Sequence, residues 1–290
     1  MINNGVVVKS LRGCFTVEAG GKRYDCVPRG KMRGGGVYCG DRVDFDEREF
    51  VIERVRERKN LFVRPPVANV TRVLIVTAIT PAPDLLLIDK MLVKCFREKA
   101  EPIICMDKND LPGSKEFFER LLENYSAAVD KIVSVSAKTG GGIDKIAGLI
   151  SGEEQVVCVA GQSAMGKSSI LNALLPLINA ATGALSQKSG RGKHTTRHTE
   201  MFALPQGGYI ADTPGFSLLE EEDTEAPQLK YYYPEFIALQ NECRFYGCNH
   251  LNEPDCAVIK NIGKAASRER HERYKEFYKE LEKYQKEKYR

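Results

Sequence analysis

The densest chemical signal in the chain is the stretch VVCVAGQSAMGKSS, from Val156 to Ser169. Glycines at 161 and 166 let successive backbone N–H groups turn inward around phosphate oxygens, and a helix starting just after them adds partial positive charge. In such a GxxxxGK[ST] cradle Lys167 would reach the β and γ phosphates and Ser168 would ligate Mg²⁺. Gln162, Ser163, Ala164, Met165 and Ser169 complete the nucleotide-contacting stretch. The bland alternative is a glycine-containing turn that binds nothing. A β-branched run before the loop and a helical pattern from Ile170 to Leu175 weigh against it.

A second group of residues could read a base. Asp107-Lys108-Asn109-Asp110 is similar to the NKxD element, and Ser136-Ala137-Lys138 to the SAK element that accompanies it. Guanine offers N1–H and N2–H₂ as donors, so a carboxylate at Asp110 accepting both would reject adenine. Lys108 would lay its stem along the base, and the Ala137 N–H would meet guanine O6. Position 107 departs from the pattern, because an amide can donate to guanine N7 or to backbone carbonyls and a carboxylate can only accept. Asp107 would bond loop N–H groups instead, at some expense of guanine affinity.

Downstream, the polar and basic segment 186–200, SQKSGRGKHTTRHTE, sits where a nucleotide-sensing switch loop belongs. Thr195 or Thr196 would complete the Mg²⁺ shell when the γ-phosphate is present. Asp212-Thr213-Pro214-Gly215 follows a β-type run, as in the element whose Asp holds Mg²⁺ through water and whose Gly N–H senses the γ-phosphate. Near the end, Cys243, Cys248, His250 and Cys256 supply three thiols and an imidazole within 14 residues. That set closes a tetrahedral zinc site with no open position, so its role is expected to be structural.

These groups need elements to hold them. Residues 67–218 alternate strands and helices: strand Val73–Thr77, a helix from Asp84 to Lys99, strand Pro102–Met106, helix Ser114–Tyr125, strand Ile132–Val135, helix Ile143–Ile150, then the phosphate-loop strand. Strands at Met201–Leu204 and Tyr209–Ala211 lead to Asp212. This rhythm predicts a mostly parallel sheet covered on both faces. Residues 1–66 instead show short β-type runs at Val6–Val8, Cys14–Val17, Val37–Cys39, Arg42–Phe45 and Phe50–Val55, which suit a small closed barrel of OB type. Arg29, Lys31 and Arg33 give it a basic loop, and Arg64-Pro65-Pro66 reads as the linker out of it. Residues 219–290 carry the cysteine cluster and a long helical pattern. Tyr274, Phe277, Tyr278, Leu281 and Tyr284 fall on one helical face, expected to pack on the protein.

Charge and cysteine usage bound the rest. Residues 1–63 carry 13 Lys+Arg against 9 Asp+Glu and residues 264–290 carry 10 against 6, while the middle is acidic. Basic ends suit a polyanionic partner. Nine cysteines, several inside apolar runs (Cys95, Cys105, Cys158), look like reduced core residues, and no stretch approaches a membrane span or a secretory leader. A cytoplasmic protein is expected.

The order of the motifs is itself informative. Guanine-specific GTPases ordinarily present the phosphate loop first and NKxD and SAK last; here DKND and SAK precede GQSAMGKSS, and DTPG ends the set. The cyclic order is kept and the starting point moved, as in a circular permutation. Together with PRGKMRGGGVYCGDRV in the barrel, DTPGF and the Cys₃His spacing, the whole chain resembles the RsgA (YjeQ/YloQ) family, ribosome small subunit-dependent GTPases. The resemblance implies an OB-fold, a permuted GTPase domain and a mainly helical zinc-binding domain. It also implies binding to the 30S subunit and 16S rRNA in late maturation, GTP and GDP as ligands, and ribosome-stimulated hydrolysis; a monomer is expected. Ala164 departs from the glycine usual in the family, a change tolerable if its φ stays negative.

The expected reaction is in-line attack of water on the γ-phosphorus of Mg·GTP. The position after DxxG, where a polar side chain usually orients that water, is Phe216, which predicts slow intrinsic turnover. His194, beside Thr195 and Thr196, is the candidate to supply the missing group, with Lys167 on the phosphates. Two other readings stay open: a P-loop ATPase, and a nucleotide-dependent RNA-binding module with negligible catalysis.

Overall fold

The computed structural model describes residues 2–11, 13–30, 36–63, 66–152, 154–182, 199–204, 207–212 and 224–288. Five strands build the N-terminal barrel: β1 (Ile2–Leu11), β2 (Cys14–Ala19), β3 (Lys22–Pro28), β4 (Arg42–Asp46) and β5 (Val51–Val55). Pairing runs β1-β2-β3-β5-β4 and returns from β4 to β1, closing the sheet. Inward positions alternate along these strands, and Val7, Val17, Cys26, Val43, Phe45 and Ile52 fill the interior.

Three details differ from the sequence reading. Val37–Cys39 is no strand: Cys39 makes one isolated bridge to Val67, although Val37 and Cys39 are both buried. The third strand is Lys22–Pro28, whose charged sequence KRYDCVP shows little alternation. Pro66 belongs to no plain linker either, since it opens β7 (Pro66–Ala68), which pairs antiparallel with β6 (Leu61–Val63). Arg64 and Pro65 lie outside the described residues, as do Lys31 and Arg33.

The nucleotide-type sheet uses β8 (Arg72–Ala78), β9 (Glu101–Asp107), β10 (Ile132–Ser134), β11 (Val156–Ala160), β12 (Glu200–Ala203) and β13 (Tyr209–Asp212), in the order β10-β9-β8-β11-β13-β12. All neighbours pair in parallel except β12 with β13. β8 and β11 are apolar runs because both of their faces are covered. Helices α1 (Leu85–Arg97) and α2 (Ser114–Tyr125) pack on one face; α3 (Ile143–Ile150) and α4 (Lys167–Thr182) pack on the other. Asp84 caps α1 by accepting the Leu87 N–H at 2.9 Å, a bond worth about 1 kcal/mol to the helix. The Lys9–Glu200 register joins β1 to β12, so the barrel and the nucleotide sheet are one continuous eleven-stranded ribbon.

The C-terminal part is helical: a 3-10 stretch Ala226–Tyr232, short helices α5 (Pro234–Ile237) and α6 (Ala257–Lys260), and the long α7 (Arg268–Lys288). Tyr274, Phe277, Tyr278 and Leu281 form the buried stripe of α7 and meet Tyr233 and Phe236 in a fourth core. Charge docks this unit on the sheet's helices. Arg270, fully buried, pairs with Asp89 of α1 and Glu235 of α5, and Arg273 also reaches Asp89. At the rim, Arg120 of α2 pairs with Glu269 at 2.9 Å.

Candidate nucleotide site and metal centre

The loops that carry chemistry all leave the C-terminal ends of parallel strands. Asp107 closes β9, Ser136-Ala137-Lys138 follow β10, Gly161 follows β11, and Asp212 ends β13. Since β10, β9, β8, β11 and β13 are successive neighbours, these residues from two distant parts of the sequence share one edge of the sheet. That edge is where open α/β sheets bind ligands.

The phosphate loop is held tightly enough to exclude side chains. Gly161 has φ +133°, and a methyl there would lie 2.1 Å from the Val76 carbonyl oxygen of β8. Gly166 has φ +102°, and a methyl there would lie 2.0 Å from Asp107 Oδ2. Lys167, opening α4, donates its Nζ to the Gly161 and Gln162 carbonyls at 2.6 and 2.7 Å, while burial pulls its ammonium below the usual lysine value. Met165 is buried in the core beneath the loop and anchors it, whereas Ser163, Ala164, Ser168 and Ser169 are exposed. Ala164 has φ +66°, which corrects the expectation of a negative φ. Its carbonyl accepts Lys108 Nζ at 3.0 Å, a bond that fixes this left-handed tip.

Gln162 does something the sequence hides. Its side chain turns to the start of α1, accepting the Asp84 N–H at 3.0 Å and donating to the Ala82 carbonyl at 3.4 Å. Asp84 was legible as a helix cap, but nothing in the sequence pairs it with a residue 78 positions away.

At the base-reading end, Asp110 Oδ1 accepts the Ser136 hydroxyl at 2.7 Å, which holds the carboxyl below the usual carboxylate value. Lys108 Nζ donates to the Thr80 carbonyl at 2.7 Å as well as to Ala164, so its stem bridges the loops after β8 and β11. The Asn109 N–H bonds the Val135 carbonyl at 3.0 Å and its own carbonyl takes the Ser114 hydroxyl, which fixes the loop. The Ala137 N–H, expected to face guanine O6, instead donates to Asp107 Oδ1 at 2.8 Å. His194, Thr195, Thr196, Gly215 and Phe216 lie outside the described residues.

The cysteine cluster converges. Cys243, Cys248, His250 and Cys256 place their ligand atoms within 4.8 Å of one another. His250 Nδ1 is 3.3 Å from Cys256 Sγ and 3.6 Å from Cys243 Sγ, and those two sulfurs are 3.8 Å apart. Tetrahedral zinc with bonds of about 2.3 Å to sulfur sets ligand atoms about 3.8 Å apart, so the set fits that ion. Burial lowers the His250 imidazole to about 4, leaving it neutral, and pushes the Cys248 thiol up to about 12. Thiols ligate a metal as thiolates, so metal binding here releases protons. Lys230, buried, donates to the Cys248 and Gly247 carbonyls at 2.9 and 3.1 Å, placing positive charge beside a set that is net anionic with a divalent ion.

The chain is similar to known proteins over nearly its whole length. Residues 55–222 match the family described as RsgA GTPase. A Geobacillus thermodenitrificans protein named small ribosomal subunit biogenesis GTPase RsgA is 42% identical over 262 residues, 88% of each chain. A Caldanaerobacter subterraneus protein of the same name is 38% identical over 293 residues, 99% of this chain and 98% of its own. The crystal structure of YjeQ from Thermotoga maritima superposes with a TM-score of 0.82 at 36% identity, covering 96% of this chain and 98% of its own. YloQ, described as a circularly permuted GTPase, gives 0.78 at 29% identity, covering 98% and 96%.

Proposed function

The chain belongs to the RsgA family of circularly permuted GTPases that act in small ribosomal subunit biogenesis, and from that membership we propose how its own residues divide the work. It is a P-loop GTP hydrolase. Lys167 and the backbone of 161–166 hold the β and γ phosphates, and Asp110 with the Ser136–Lys138 loop reads guanine. Ser168 and Asp212, with Thr195 or Thr196, hold Mg²⁺, which supplies charge neutralisation at the γ-phosphate. His194 is the candidate to orient the attacking water. The convergence of Asp110 and Ala137 with Lys167 at one sheet edge carries this assignment.

The Cys₃His set holds zinc as a closed structural centre. The units act as residues 1–66, 67–218 and 219–290, with the barrel and the zinc-binding part contacting 16S rRNA of the 30S subunit. The protein works as a cytoplasmic monomer. Among the described residues no helix is long and apolar enough to cross a membrane.

Phosphate release from GTP, measured with and without 30S subunits, tests the reading. Slow turnover alone and a large rise with 30S are expected, with Lys167→Ala abolishing both. Turnover that ignores 30S overturns the activation, and equal competition by ATP overturns the guanine assignment in favour of a P-loop ATPase.

A further inference from the structure

Asp107 stands at the C-terminal end of β9, between two loops that a nucleotide would touch. It is 3% exposed. Oδ1 accepts the Ala137 N–H at 2.8 Å, and a methyl on Gly166 would fall 2.0 Å from Oδ2, so the carboxylate is wedged between the Ser136–Lys138 loop and the phosphate loop. On the guanine reading of this site, which the inference rests on, that N–H is the donor guanine O6 needs. The pocket then holds two acceptors for one donor. A carboxylate cannot resolve the conflict by turning, because it has no hydrogen to offer O6 or N7. An amide can, by presenting its NH₂ to the base.

We propose that Asp107 is an internal competitor for guanine, which holds the Ala137 N–H in the free protein and so weakens guanine nucleotide binding. Binding must either break a charge-assisted bond and leave the carboxylate buried beside O6, or leave O6 without its donor. The first route loses a bond of the stronger, charge-assisted class, and the second leaves a buried acceptor unpaired. The remaining recognition, through Asp110 and the phosphate loop, is untouched, so selectivity for guanine persists while affinity falls and nucleotide exchange becomes fast.

A cycle between residue 107 and one atom of the ligand tests this. Binding of GDP and of 6-thioguanosine diphosphate, whose C6 sulfur is a weak acceptor and which keeps N1–H, N2–H₂ and N7, is measured with Mg²⁺ on the full chain and on Asp107→Asn by displacement of a fluorescent guanine nucleotide. The variant is expected to bind GDP about tenfold tighter than the parent. The gain is expected to shrink to about twofold or less for the ligand with sulfur in place of O6, since a weak acceptor competes poorly for the N–H. Equal or weaker GDP binding by Asp107→Asn overturns the proposal, as does an equal gain for both ligands, which would place the effect at N7 or in the loops. Failure of both chains to bind GDP overturns it together with the guanine reading beneath it.

Discussion

Ala164 shows how a single backbone angle can be read against its residue type. A φ of +66° in a non-glycine residue is strained by roughly 1 kcal/mol, and here Lys108 Nζ on the Ala164 carbonyl helps to hold it. Ala164→Gly is therefore expected to raise stability by up to about 1 kcal/mol, or about 2 °C in melting temperature. A scan showing destabilisation would mean that the methyl makes a contact outweighing the strain. At this scale the sequence was a good guide to residue types and a poor one to partners. The spacing GxxxxGK[ST] singles out Gly161, Gly166 and Lys167, and both glycines do sit at positive φ with neighbouring atoms pressed against them. It could not show Asp107 on the Ala137 N–H or Gln162 on Asp84, since both bonds exist only after strands far apart in the chain become neighbours.

Among elements, the docking of α7 on α1 is the sharpest case of buried charge. Arg270 lies 3.1 Å from both Asp89 and Glu235, with the Tyr125 and Tyr233 rings about it at 5.4 and 4.8 Å. Arg270→Met removes one charge and strands Glu235, so a loss of about 3–5 kcal/mol is expected in denaturant unfolding at neutral pH. Burial raises the Glu235 carboxyl, so the native state takes up its proton before the unfolded chain does, and acidification through that raised value adds stability. The Arg270 charge works against that rise, so in the variant the carboxyl goes higher still and the deficit should be smaller at pH 5 than at pH 8; a deficit that grows on acidification would contradict this account. Elements were legible where periodicity was strong: α2 and α3 run over the spans their patterns predict, and β8, β9 and β13 differ by a residue or so at their ends. They were illegible where tertiary pairing overrides local pattern. KRYDCVP becomes a strand because β2 and β5 flank it, and apolar Val37–Cys39 stays irregular because it packs without a ladder.

For the molecule as a whole, the Cys₃His cluster and the four cores decide how it comes apart. The C-terminal core is small, and Cys248 and Cys256 belong to it. Removing zinc with a chelator is expected to abolish the near-ultraviolet signal of Tyr233, Phe236 and Tyr274 with release of one zinc per chain, while guanine nucleotide binding persists. A near-ultraviolet spectrum unchanged after complete zinc loss would make the metal dispensable for that fold. Three-part organisation could be read from composition and motif order, but the junctions could not, because β6 and β7 and the β1–β12 seam arise from contacts across units.

Beneath that seam the apolar interior does not stop at a boundary. Val6, Val8, Cys39, Phe62 and Val67 share one core with Val73, Ile75, Cys158, Met201 and Ala211. Two bodies with a common interior have no slack between them. Whatever surface seats the barrel therefore also sets the compass bearing of the phosphate cradle, much as a sextant's frame sets the aim of its mirror. Recognition at one end becomes alignment at the other, with no moving joint in between.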